Sequence, residues 1–147
     1  MGEPDIQISE LQVWVHGRQF PDADDYWDGN WLLVTAHCGT EGSSVWVSGP
    51  IIHLSELHRW LVSCRKMEET LGGEANLECM EPELSVTIKA QGLGHLAMEV
   101  QITPNHLQQE HTFRFEIDQS YLPNFLGGGQ TVLSKYPIRG NKEKAGT

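Results

Sequence analysis

Alternation of apolar and polar residues, interrupted once near the middle by a long run at helical spacing, constrains this chain more than any other feature of its sequence. In "NWLLVTAHC", Leu32, Val34, Ala36 and Cys38 fall on one side, and Trp31, Leu33, Thr35 and His37 on the other. Successive side chains of a strand point to opposite faces, so such a segment has one face for a core and one left over. "LQVWV" repeats the pattern, with Leu11, Val13 and Val15 opposed to Trp14 and His16, and "VWVSGPIIHL" follows after the turn-forming "GTEGSS". Ile6 and Ile8 stand out of phase with Leu11, which predicts a strand bulged near Ser9 and Glu10. Four more alternations follow in "EANLECM", "ELSVTIKA", "HLAMEVQIT" and "HTFRFEI", with Gly92 and Gly94 turning the chain between the second and third of these.

The helical run lies between the two groups of strands. Ser55 is a good N-cap, and Leu57, Trp60, Leu61, Cys64, Met67 and Leu71 recur at three- and four-residue spacing until Gly72 and Gly73 stop the pattern. A second helix is predicted after Asp118, with Leu122, Phe125, Leu126, Val132, Leu133 and Tyr136 as its apolar positions and Pro137 as its end. Gly127, Gly128 and Gly129 interrupt it. Each costs ~1 kcal/mol of helix propensity relative to alanine, so the triplet either breaks the helix or admits a neighbouring backbone. The expected fold is α+β, a mainly antiparallel sheet of about six to seven strands with two helices packed on it. Residues 1–138 read as a single domain and 139–147 as a disordered tail.

Charge narrows the choice of partners. The chain has 147 residues, ten basic and twenty acidic, for a net charge of -10. Lys135, Arg139, Lys142 and Lys144 fall in the last 13 residues beside Glu143, which leaves six basic and nineteen acidic side chains, a net of -13, in the first 134. Nucleic acid is therefore not an expected partner, because phosphate binding needs the opposite sign, whereas a basic protein is compatible. No window offers the ~18 consecutive apolar residues of a membrane span. The opening "MGEPDIQISE" has acids where a signal peptide has Lys or Arg, and Ile6 stands where a myristoylation signal wants Ser or Thr, so a cytoplasmic location is expected.

Sites for metal and catalysis test negative in the sequence. An EF-hand beginning at Asp24 would fit Asp28 and Gly29, but Tyr26 takes the third position and Thr35 the twelfth. The seven histidines lack HxxxH or HExxH spacing, and Cys38, Cys64 and Cys79 lack CxxC spacing and read as buried thiols. "GLGHLA" satisfies GxGxxA but leads into a strand, and "LGGGQT" has no lysine for a phosphate loop. No metal, cofactor or catalytic residue is expected. One constellation remains. Asp22, Asp24, Asp25 and Asp28 cluster around Trp27 in "FPDADDYWDGNWLLV", and alternation sets Trp14, Trp31 and Trp46 opposite the regular aliphatics on three strands. That face is either a second core or an exposed aromatic patch beside an acidic lip, the combination binding interfaces favour.

Several short motifs resemble those of the WapI-type immunity proteins. Phe20 and Pro21 lead an acidic stretch into Asn30, Trp31 and Leu32; Glu81, Pro82 and Leu84 enter a middle strand; a "FRFEIDQSYL" strand-to-helix step follows; and Tyr136 and Pro137 close "LSKYPI". The likeness covers residues 10 to 138, and the glycine triplet departs from it. It implies a small cytoplasmic bacterial antidote that binds and blocks the C-terminal domain of a polymorphic toxin, in some cases an RNA-cleaving one, and it carries over no catalytic residues. The expected function is thus a non-enzymatic acidic binding protein acting on a basic toxin domain. The alternative is a small-ligand-binding or assembly protein. Asp22, Asp24, Asp25, Asp28, Trp14, Trp27 and Trp31 are the expected partner-binding residues.

Overall fold

In the computed structural model, which describes residues 1–142, the chain forms β1 (Ile6–Ile8), β2 (Leu11–Arg18), β3 (Trp31–Thr40), β4 (Ser43–His53), α1 (Leu54–Thr70), β5 (Glu74–Glu78), β6 (Leu84–Gly92), β7 (His95–Ile102), β8 (Thr112–Asp118) and α2 (Leu122–Lys135). The α+β class and the two helices are as expected. The single sheet is not: the strands form two antiparallel four-stranded sheets, ordered β1-β2-β3-β4 and β5-β6-β7-β8.

Two local features produce the difference. Ile6–Ile8 is not a bulged extension of the next strand but a strand of its own, because Ser9 adopts a left-handed φ of 52° and the chain folds straight back. Ile8 then faces Leu11 and Ile6 faces Val13. Residues opposite one another share a face, which accounts for isoleucines that look out of phase along the chain. The division into two sheets falls at α1, a helix of 17 residues that rises ~1.5 Å per residue and so spans ~25 Å; β5, which follows it, pairs with β6 and with no strand of the first sheet.

One hydrophobic core joins both sheets to both helices. Val13, Val34 and Val47 line the inner face of the first sheet, Val86, Met98 and Val100 that of the second, and Leu57, Trp60, Leu61 and Phe125 fill the helical side. Trp60 and Phe125 meet where α1 crosses α2, with ring centroids 4.5 Å apart.

The helix ends differ in detail from expectation. The N-cap of α1 is His53 rather than Ser55: its ring accepts the Ser55 N–H, and Glu56 Oε1 accepts the His53 N–H at 2.8 Å, which closes a capping box. At the other end Leu71, not a glycine, takes the left-handed cap and donates to the Met67 carbonyl. The glycine triplet does not break α2. A Cβ on Gly128 would lie 2.5 Å from the Asp5 carbonyl oxygen, and one on Gly129 would lie 2.5 Å from Leu61 Cδ2. These two glycines let α2 lie directly against the chain entering β1 and against α1.

Candidate partner-binding surface

Between β2 and β3 the acidic segment closes on itself through backbone hydrogen bonds from Gln19 N–H to the Trp31 carbonyl (2.9 Å), Ala23 to Phe20 (3.1 Å) and Gly29 to Asp25 (3.0 Å). Side chains from distant parts of the chain then pin it. Asn30, fully buried, donates to the carbonyls of Tyr26 (2.7 Å) and Arg139 (2.9 Å) and accepts from Arg139 N–H (2.8 Å) and the Arg18 guanidinium (3.3 Å). Arg18, also buried, donates to the carbonyls of Gly29 and Pro137. Arg139 donates to those of Pro21 (2.6 Å) and Ala23 (2.8 Å). Arg139 and Gly140, read from the sequence as the start of a disordered tail, are therefore held against the loop. Gly140 sits too close to Tyr26 to accept a Cβ. Residues 143–147 of that tail lie outside the described residues.

His53 completes the anchorage. Its Nδ1 receives the Ser55 N–H, so the ring proton sits on Nε2, which donates to the carbonyls of Tyr26 and Trp27, each at 3.2 Å. Burial lowers the pKa of this ring, against the pull of the two carbonyls. Glu56, bound by the backbone N–H groups of His53 and Met80, is shifted upward by burial, which those two hydrogen bonds oppose. The two shifts act on stability with opposite sign. The His53 contribution is complete above the ring's ordinary value of 6.5 and is lost as pH falls through the lowered folded value. The Glu56 contribution is present below 4.5 and is lost as pH rises through its folded value. Replacing His53 with Gln should therefore flatten the acid-side fall in unfolding free energy between about pH 7.5 and about pH 5.5, by at most ~1.4 kcal/mol per pH unit. Urea unfolding of both proteins at the two pH values measures it, and equal slopes would show that His53 does not titrate with folding.

On this fixed backbone the four aspartates are exposed. Asp25 Oδ2 accepts the Asp28 N–H at 3.0 Å, and among the described residues none of the four forms an ion pair. Trp27 projects among them, 37% exposed, with its ring edge-on to Tyr26 at 4.9 Å, and Phe20 is exposed at the start of the loop. Trp31 is half-buried, packed against His53 at 5.0 Å. Trp14 does not join them. It stacks on Trp46 across β3, centroids 5.6 Å apart and planes 20° from parallel, while Trp31 sits four residues from Trp14's partner Thr35 on β3. The tryptophan face is not a second core, since Trp46 is 48% exposed. The four aspartates and Trp27, singled out in the sequence, are exposed; the groups that hold their loop, Arg18, Asn30, His53 and Arg139, were not singled out as its anchors. A histidine before a helix has no spacing signal for carbonyls 26 and 27 residues back, and Arg139 has none for partners more than a hundred residues away.

Cys38 and Cys64 are buried and free, and burial pushes both thiols up to about 12, so neither supplies a thiolate near neutral pH. Cys79 is free and half-buried, and it too is shifted upward, chiefly by burial. Among the described residues no group of three or more His, Cys, Asp or Glu side chains is placed to hold a metal ion, and no helix is long and apolar enough to cross a membrane.

No curated protein and no solved structure matches the chain. The family model described as the immunity protein WapI-like family matches residues 4–137, which takes in both sheets, both helices and the whole acidic loop. The chain belongs to the immunity protein WapI-like family.

Proposed function

We propose that the protein is a cytoplasmic antidote that binds and neutralises a basic toxin domain, with the loop of Asp22, Asp24, Asp25 and Asp28 as its recognition lip and Trp27, backed by Trp31, as the aromatic anchor. The observation that carries this reading is the combination of four carboxylates that form no ion pair among the described residues and a backbone fixed by buried Arg18, Asn30 and His53. A surface held in its bound shape loses little entropy on association, and an exposed indole ringed by charge suits the centre of an interface. Membership of an immunity family supplies the class of partner. In this reading the protein is not an enzyme: it acts by occupying the toxin.

Long-range attraction by the aspartates speeds encounter and is screened over ~8 Å at physiological salt. Replacing all four with asparagine should slow association with a cognate toxin domain by about tenfold or more at low salt, and flatten its dependence on salt. Folding should shift little, since solvated charges contribute weakly to stability. Stopped-flow association of parent and variant at low and high salt gives the answer, and equal rates with equal salt slopes would remove the loop from the interface.

A further inference from the structure

We infer that the open face of the first sheet is a second docking surface, on which the stacked indoles of Trp14 and Trp46 receive an arginine or lysine side chain from a cationic protein segment. The class of partner rests on the binding function proposed above; the place does not.

The face is built as a platform. Two rows of side chains cross β2, β3 and β4: His16 to Thr35 (2.8 Å) to Ser48 (2.9 Å), and Gln12 to His37 (3.2 Å) to Ser44 (2.6 Å). These polar groups satisfy one another and fix the floor. The Trp14 indole N–H is already used, donating to the Gly2 carbonyl at 2.7 Å, and the His37 ring lies 4.3 Å from that of Trp46. What remains open to a partner is aromatic surface, chiefly that of Trp46. Trp31 is four residues along β3 from Thr35, roughly 13 Å at the rise of a strand, so this platform is separate from the aromatic group under the acidic loop.

Charge selects the occupant. Residues 1–58 contain one cationic side chain, Arg18, and it is buried; of their nine acidic side chains only Glu56 is buried and the other eight are exposed. Several border the stack. Glu3 follows the glycine that binds Trp14, Asp5 accepts the Val15 N–H at 2.7 Å, Glu10 stands at the turn between β1 and β2, and Glu41 at the turn between β3 and β4. A second copy of the chain would set acid against acid here, and an anionic ligand would meet the same repulsion. A cation over an indole face, with carboxylates at the rim, is favoured on both counts, and arginine more than lysine because its planar guanidinium also stacks.

The test uses the full-length protein labelled with nitrogen-15 and a short peptide of alternating glycine and arginine, with lysine and glutamate versions as comparisons. The indole N–H signals of Trp14 and Trp46 should move with the arginine peptide, less with lysine and not with glutamate, while buried Trp60 stays still. Trp46→Ala, a change at an exposed position, should weaken peptide binding by about three- to fivefold. The variant carrying asparagine at all four loop positions should keep the Trp14 and Trp46 response, which separates this surface from the loop. Movement confined to Trp27 and Trp31 would overturn the inference and leave the loop reading standing. So would a response to a neutral trisaccharide instead of the arginine peptide, or a concentration-dependent dimer in sedimentation that Trp46→Ala abolishes.

Discussion

Replacing Asn30 with alanine should lower the folding free energy by about 3–5 kcal/mol, the largest effect expected of any single side chain in the loop. The residue is fully buried and uses both ends of its amide. Its nitrogen donates to the carbonyls of Tyr26 and Arg139, and its oxygen receives the Arg139 N–H and the Arg18 guanidinium. Alanine removes all four interactions and leaves the buried partners unpaired, which costs more than the hydrogen bonds themselves contribute. The loop should also loosen. Amide exchange should quicken for Tyr26 to Gly29, and toxin association should stay fast, because charge sets it, while dissociation accelerates. Urea unfolding measures the first effect. A loss below about 1 kcal/mol would mean that the amide is not the keystone of the loop.

The three neighbouring glycines of α2 should respond to alanine with different signs. Gly127 has no neighbour within 4 Å of a Cβ, so alanine there should stabilise by ~0.5–1 kcal/mol through helix propensity and a less flexible unfolded chain. Gly129→Ala drives a methyl group to 2.5 Å from a methyl of Leu61, whose fully buried side chain must repack to admit it. Gly128→Ala strikes the Asp5 carbonyl, which is backbone and can retreat only by moving β1 off the helix. Both should destabilise, by about 1–3 kcal/mol for Gly129 and at or beyond the top of that range for Gly128. Thermal or urea unfolding of the three variants gives the order. Stabilisation at all three positions would mean that α2 does not pack against β1 and α1 as described.

These glycines also show where sequence reasoning stops. Propensity states the local penalty of a glycine triplet, but whether a helix breaks or continues depends on what packs against it, and Asp5 and Leu61 lie more than sixty residues away in the chain. The same holds for the tryptophans. Alternation correctly set Trp14, Trp31 and Trp46 opposite the aliphatics, yet only the strand register decides that Trp14 stacks with Trp46 while Trp31 turns to His53.

By itself the sequence determined the segments whose partners are written in local periodicity. These are the core faces of the later strands, the apolar stripe of α1 from Leu57 to Met67, the α+β class, and the acidic loop with its exposed aspartates. Period and composition are local quantities, and they are legible because a residue's own neighbours define them. The tertiary structure alone decided the rest: the turn at Ser9 that makes β1 a separate strand, the partition of eight strands into two sheets, and the anchorage of the loop by Arg18, His53 and Arg139. A left-handed φ at a serine has no sequence signature as strong as Asn-Gly, and a hydrogen bond from Arg139 to Pro21 joins residues with no periodic relation. Such contacts arise from the need to satisfy every buried carbonyl and N–H once the core has closed, and that requirement exists only in three dimensions.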